Sequence, residues 1–125
     1  MSETENTFDR RELPPLCEKI FCDGGYASIL PNFEHRPEQA QMAYCCAQAY
    51  AGNSALLFEA GTGVGKSMAY LVSGIIAARR LKRQLVVATH TIALQQEILE
   101  KDLHRFRMMF SKCDALSDCA DFKAT

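Results

Sequence analysis

With 125 residues, 48% of them apolar, and a net charge of −1, the chain is long enough for one domain with a core and too apolar for a disordered tail. No apolar run reaches the length of a bilayer-spanning helix. The polar, acidic start MSETENTFDRREL lacks the blocks of a signal peptide, so the composition points to a cytoplasmic protein with no membrane partner.

The first 23 residues read as a loosely ordered segment, with Pro14-Pro15 and then Asp23-Gly24-Gly25 as breakers. A short helical stretch is predicted around Tyr26 to Leu30, ending before Pro31. Pro37 suits the first position of a helix, and the run to Ala51 sets Met42, Cys45 or Cys46, and Ala49 or Tyr50 on one face before Gly52-Asn53 stops it. A first strand is expected from Ala55 to Glu59. It leads into a glycine-rich turn and then a helix from Lys66 to about Arg83, apolar over much of its circumference. Residues 84–89 form a continuous apolar run, expected to be a strand buried on both faces. After His90, read as a loop residue, Thr91 precedes another helix with Ile98, Leu99, Leu103, Phe106, Met109 and Phe110 at helical spacing. From Ser111 onward the pattern dissolves.

The six cysteines, Cys17, Cys22, Cys45, Cys46, Cys113 and Cys119, read as reduced thiols, and without a CxxC pair a zinc site lacks its usual spacing. Charge is uneven. Between Arg79 and Lys112 eight bases stand against three acids, a balance of +5 against −6 elsewhere. A basic stretch is a nucleic-acid signal. Arg79, Arg80, Lys82 and Arg83 also fall where a helix should end, and cations are favoured there in any case.

The segment from Glu59 to Ser67, EAGTGVGKS, carries the chemistry. Strand, glycine-rich turn and helix in that order are the context of a phosphate-binding P-loop. Gly61, Gly63 and Gly65 let the backbone approach a ligand, and the N–H groups of Ala60, Gly61, Thr62, Gly63, Val64 and Gly65 are expected to cup a triphosphate at a helix N-terminus. Lys66 and Ser67 are the candidate catalytic residues: the ammonium reaches the β- and γ-phosphates, and the hydroxyl ligates Mg²⁺. The implied cofactors are ATP and Mg²⁺. Ala60 stands where the strict pattern has glycine. Hydrolysis also needs a carboxylate on a later strand. No such strand follows Thr89, and no two acids are adjacent, so a Walker B pair is absent.

Three segments, FEHRPEQAQMA (33–43), LLFEAGTGVGKSMAYL (56–71) and LVVATHTIALQQEIL (85–99), together resemble the N-terminal part of DinG-type, XPD-like ATP-dependent DNA helicases of superfamily 2. The resemblance covers about residues 24 to 103. It implies an α/β fold: a partial RecA-like P-loop NTPase domain, its parallel strands flanked by helices in an incomplete sheet. The expected organisation is a poorly ordered 1–23, a nucleotide-binding part over 24–110, and a truncated irregular tail over 111–125. Arg36, Gln39 and Met42 match a nucleotide-proximal Q-type motif, in which the glutamine amide reads adenine. Alanine at the first loop position is common in such helicases, which accounts for Ala60. Thr89, Thr91 and Gln95 match motif Ia, which touches the backbone of single-stranded DNA, although Thr91 equally suits plain helix capping. Many members hold an iron–sulfur cluster on four cysteines after this motif. Only Cys113 and Cys119 lie there, so this chain does not support one. Ser73 replaces a frequent proline, a change expected only to ease helix continuation.

The expectation is the ATP-binding portion of a 5′-to-3′ DNA helicase, with single-stranded DNA and a missing C-terminal helicase domain as partners, inactive in isolation. The alternatives are a non-hydrolysing nucleotide-binding regulatory module and an inactive gene remnant.

Overall fold

The computed structural model describes residues 8–31, 33–54, 56, 65–88 and 91–124. The chain enters through a 3₁₀ turn, Arg10–Glu12, whose N-cap Asp9 accepts a hydrogen bond from the Arg11 N–H at 2.9 Å. Helix α1, Leu13–Phe21, follows with prolines in its first turn, where the missing N–H groups would have had no helical partner. Leu13, Cys17, Ile20 and Phe21 share one face and are fully buried. The stretch expected to be loosely ordered therefore holds a core helix. Pro14-Pro15 starts that helix; it does not break it.

After a 3₁₀ turn at Tyr26–Ile29 comes α2, Pro37–Gly52, stopped by Asn53 in the left-handed conformation. Its buried face is Gln39, Ala40, Met42, Ala43, Cys46 and Ala47, so Cys46 turns inward and Cys45 lies at the margin. Helix α3, Lys66–Leu81, packs on α2, and α2 packs on α1. Ser73 is fully buried on α3 and donates to the Ala43 carbonyl at 3.3 Å, so it pins α3 to α2 besides continuing the helix. Lys82, left-handed, ends α3.

Helix α4, Ile92–Glu97, passes through a π turn at Ile98–Asp102 into α5, Leu103–Ser111. Leu103, Phe106, Met109 and Phe110 of α5 join the same core. The expected irregular tail contains a 3₁₀ helix, Asp114–Cys119, that buries Leu116 and Cys119 against α5 and α3. Arg80 clasps it, pairing with Asp118 and donating to the Ala115 carbonyl at 2.9 Å. Arg79 reaches Asp121 at 3.5 Å. Phe122 sits edge-on to Phe110, their centroids 6.3 Å apart, with the Arg107 guanidinium 4.3 Å above its ring.

The expected α/β architecture does not form. Among the described residues there are helices and turns but no strand, so the parallel RecA-like sheet and its βαβ crossover are absent there. Residues 84–88 carry no regular secondary structure, and Val86 is 86% exposed. Of the other expected strand, 55–59, only Leu56 lies within the described residues, and it is exposed. An apolar run becomes a strand only when a neighbour takes its N–H and C=O groups. Helices satisfy theirs locally, and here they supply the core. No helix among the described residues is long and apolar enough to cross a membrane.

Candidate functional site

The N-terminus of α3 is the centre of the described part of the site. Gly65 is its N-cap at φ 73°, in the left-handed region that favours glycine, and it gives the helix no side-chain cap. The opening N–H groups of α3 therefore have no capping side chain, and the helix dipole adds partial positive charge. Lys66 is exposed beside them, and Ser67 is half-buried. Positive charge, N–H groups without a capping side chain among the described residues, and a hydroxyl at one helix end suit a phosphate group and its metal.

Gln39 reaches this point from α2. It lies in the first turn of that helix and is 4% exposed, an unusual burial for glutamine. Its Nε2 donates to the Gly65 carbonyl at 3.1 Å, joining positions 26 residues apart. A side chain at position 65 would collide with it, since a Cβ there would stand 2.2 Å from Nε2. The Gly65 carbonyl can only accept, which fixes the amide orientation and turns Oε1 the other way. Among the described residues the buried Oε1 has no hydrogen-bond partner. An unsatisfied buried acceptor costs about 1–3 kcal/mol. A donor supplied by a ligand would remove that cost, so the residues present fit a nucleotide with an N–H to offer.

Arg36 is the N-cap of α2 and pairs with Glu34 at 3.2 Å on the surface. Thr91 is the N-cap of α4, and its hydroxyl accepts from the Leu94 N–H at 3.1 Å, so the capping reading of this residue is realised. Gln95, on the same turn, is exposed. Ala60, Gly61, Thr62, Gly63, Val64 and Thr89 lie outside the described residues.

The buried cysteines behave as core side chains. Burial pushes the Cys17 thiol up to about 12, opposed in part by a hydrogen bond with Ser73. Burial likewise raises Cys46 and Cys119, each to about 11. Cys113 is also raised, chiefly by burial and then by the neighbouring Asp114 carboxylate. Such thiols are poor sources of the thiolate that metals and electrophiles require.

Sequence reasoning missed the bond between Gln39 and Gly65, although both residues stood out separately. It also missed the Arg80 clasp, whose only signal was the run of spaced acids Asp114, Asp118 and Asp121 in the tail.

The similarity to known proteins is local. The chain is 45% identical over 76 residues to the ATP-dependent DNA helicase DinG of Escherichia coli (strain K12), covering 59% of this chain and 11% of that protein. It is 44% identical over 80 residues to the ATP-dependent DNA helicase DinG of Salmonella typhimurium, covering 62% of this chain and 11% of that protein. It is also 35% identical over 77 residues to the 3′-5′ exonuclease DinG of Bacillus subtilis, covering 62% of this chain and 8% of that protein. No family model and no solved structure matches. The chain thus spans about a tenth of the length of the curated relatives it matches. Over that stretch it resembles the DinG-type helicases, the family its three motifs implied.

Proposed function

We propose that this chain is the ATP-binding portion of a DinG-like DNA helicase, working in the cytoplasm. The observation that carries the reading is the junction of Gln39 with Gly65: the Q-type segment and the end of the P-loop segment meet at one helix N-terminus. In this reading Lys66 binds the β- and γ-phosphates and Ser67 holds Mg²⁺. Residues 60–64 complete the phosphate cup. The Oε1 of Gln39, without a partner among the described residues, accepts from the amino group of adenine, and Arg36 lies near the nucleotide. Bound ATP with Mg²⁺ supplies the free energy of phosphoryl transfer, whereas this chain's residues bind and orient it.

Thr89, Thr91 and Gln95 are proposed to touch the single-strand backbone in the whole enzyme. The carboxylate that positions water, and a closing second domain, are proposed to come from elsewhere in such an enzyme. Hydrolysis by this chain alone is therefore expected to be poor. Calorimetric titration with Mg-ADP tests the reading: saturable binding is expected, and Lys66→Ala should remove it. An unchanged isotherm for that variant would defeat the role given to Lys66.

The exonuclease name of the Bacillus relative favours a second reading, in which the same nucleotide-binding portion serves an enzyme that degrades DNA. Assays of strand separation and of end-labelled DNA degradation on a longer protein containing this stretch separate the two.

A further inference from the structure

The Gly65 carbonyl, at the mouth of α3, is held from two sides. It accepts the first bond of the helix, from the Ala69 N–H at 3.2 Å, and a second from Gln39 Nε2 at 3.1 Å. A carbonyl oxygen has two lone pairs, so these two bonds fill it. The same peptide unit carries the Lys66 N–H. Because that unit is planar and trans, its C=O and N–H point in opposite directions. Fixing the oxygen therefore fixes where the Lys66 N–H points. Gly65 needs such a hold, since at φ 73° and without a Cβ its own backbone restrains it little.

The clamp stands on a packed body. Gln39 is 4% exposed, its neighbours Ala40, Met42 and Ala43 are buried, and α2 packs on both α1 and α3. Groups placed from a packed helix are held more closely than groups on loops. The N–H groups of Lys66, Ser67 and Met68 precede the first helical bond, and no side chain among the described residues caps them. An anion at this end depends on their direction. The two ends of the Gln39 amide thus have different surroundings. Oε1 is the buried acceptor without a partner among the described residues, whereas Nε2 grips the backbone where the phosphates would lie.

On the reading that this helix end holds the phosphates of a nucleotide, we infer that Gln39 is a positioning residue for the phosphate cup. Its Nε2 sets the Gly65–Lys66 peptide whether or not a base is bound, so the ligand that exposes the role is a polyphosphate without a base. The test is calorimetric titration of the whole chain with Mg-tripolyphosphate and, in parallel, Mg-ADP. Gln39→Met keeps the length of the side chain and removes the donor. It should weaken tripolyphosphate about fivefold, the effect of one lost hydrogen bond, and Mg-ADP at least as much. Ser73→Ala removes a different buried bond between α2 and α3 and should leave tripolyphosphate unchanged, which separates positioning from general packing. Circular dichroism checks folding, and Gln39→Ala gives the same direction should the methionine not fit. An unchanged tripolyphosphate affinity in the Gln39 variant overturns the inference; beside a weakened Mg-ADP it means that the amide serves the base alone and leaves the nucleotide site standing. An equal loss in Ser73→Ala, or binding of Mg-ADP without tripolyphosphate, overturns it too. Absence of binding by either ligand, or binding that survives Lys66→Ala, overturns the nucleotide site itself.

Discussion

The α1–α2–α3 body and residues 86–87 and 92 both carry aliphatic side chains, yet these end in opposite environments. Leu13, Ile20, Phe21, Val72 and Ile76 are fully buried, whereas Val86 is 86% exposed and Ile92 73% exposed. Hydrophobicity favours burial in both cases. What differs is the backbone. In the body each helix satisfies its own N–H and C=O groups and is free to press an apolar face on its neighbour. The 84–88 run can satisfy its backbone in a sheet only through a neighbouring strand, and among the described residues no strand forms. Apolar composition marks a segment as able to bury; a partner decides whether it does.

Substitutions on the two sides of this contrast should differ most. Phe21→Ala opens a cavity in a fully buried site and should cost about 3–5 kcal/mol, read as a lowered urea midpoint. A loss below 1 kcal/mol would mean that the body is loosely packed.

The α2–α3 joint is tested next. Gly65 and Gly24 both have positive φ, 73° and 74°, but only Gly65 is closed in, by Gln39. Gly24→Ala should cost about 1 kcal/mol from backbone conformation alone. Gly65→Ala should cost about 2 kcal/mol or more, because the Gln39 amide must also move. Combining it with Gln39→Ala should recover the steric part. Equal losses for the two glycines would show that Gln39 does not hold this junction.

Alkaline pH probes the same body through its thiols. Cys17 is raised from 9.0 to about 12 by burial, so the folded state keeps its proton after the unfolded chain has lost it. The unfolded state then binds fewer protons, and stability falls as pH rises. The contribution is whole below about pH 9 and drains away between 9 and 12, at about 1.4 kcal/mol per pH unit for this thiol. Cys46 and Cys119 act in the same direction. Urea melts at pH 8 and pH 10 measure this, and Cys17→Ala should flatten the slope.

The smallest effect is expected in the exposed stretch. Val86→Thr keeps the shape, removes little buried surface, and should change stability by less than about 0.5 kcal/mol. A loss comparable to that at Phe21 would place Val86 in a packed interface.

The helices were legible where they carried their own signals. Pro37 and Asn53 bound α2, and the basic residues near 80 mark the end of α3. Helix α1 was hidden, because Pro14-Pro15 reads as a breaker until its place in the first turn is known. The strand readings failed at 84–88 because a continuous apolar run states what a segment would bury and not what it would pair with. At the site, Gln39, Gly65, Lys66 and Ser67 were each identifiable from motif spacing. The Gln39–Gly65 hydrogen bond was not, since no local rule connects positions 26 residues apart.

Sequence alone determined the helix limits of α2 and α3, the glycine at the left-handed N-cap of α3, and the motif order shared with DinG-type helicases. Those properties depend on each residue's own φ preference, end-capping chemistry and spacing along the chain. Tertiary structure alone decided that Ser73 and Gln39 are buried fasteners, that Arg80 binds the 114–119 turn, and that Val86 and Val87 stay exposed while Leu85 beside them packs on the core. Each of these rests on a partner distant in sequence, or on its absence among the described residues, and pairing of that kind exists only once the chain has folded back on itself.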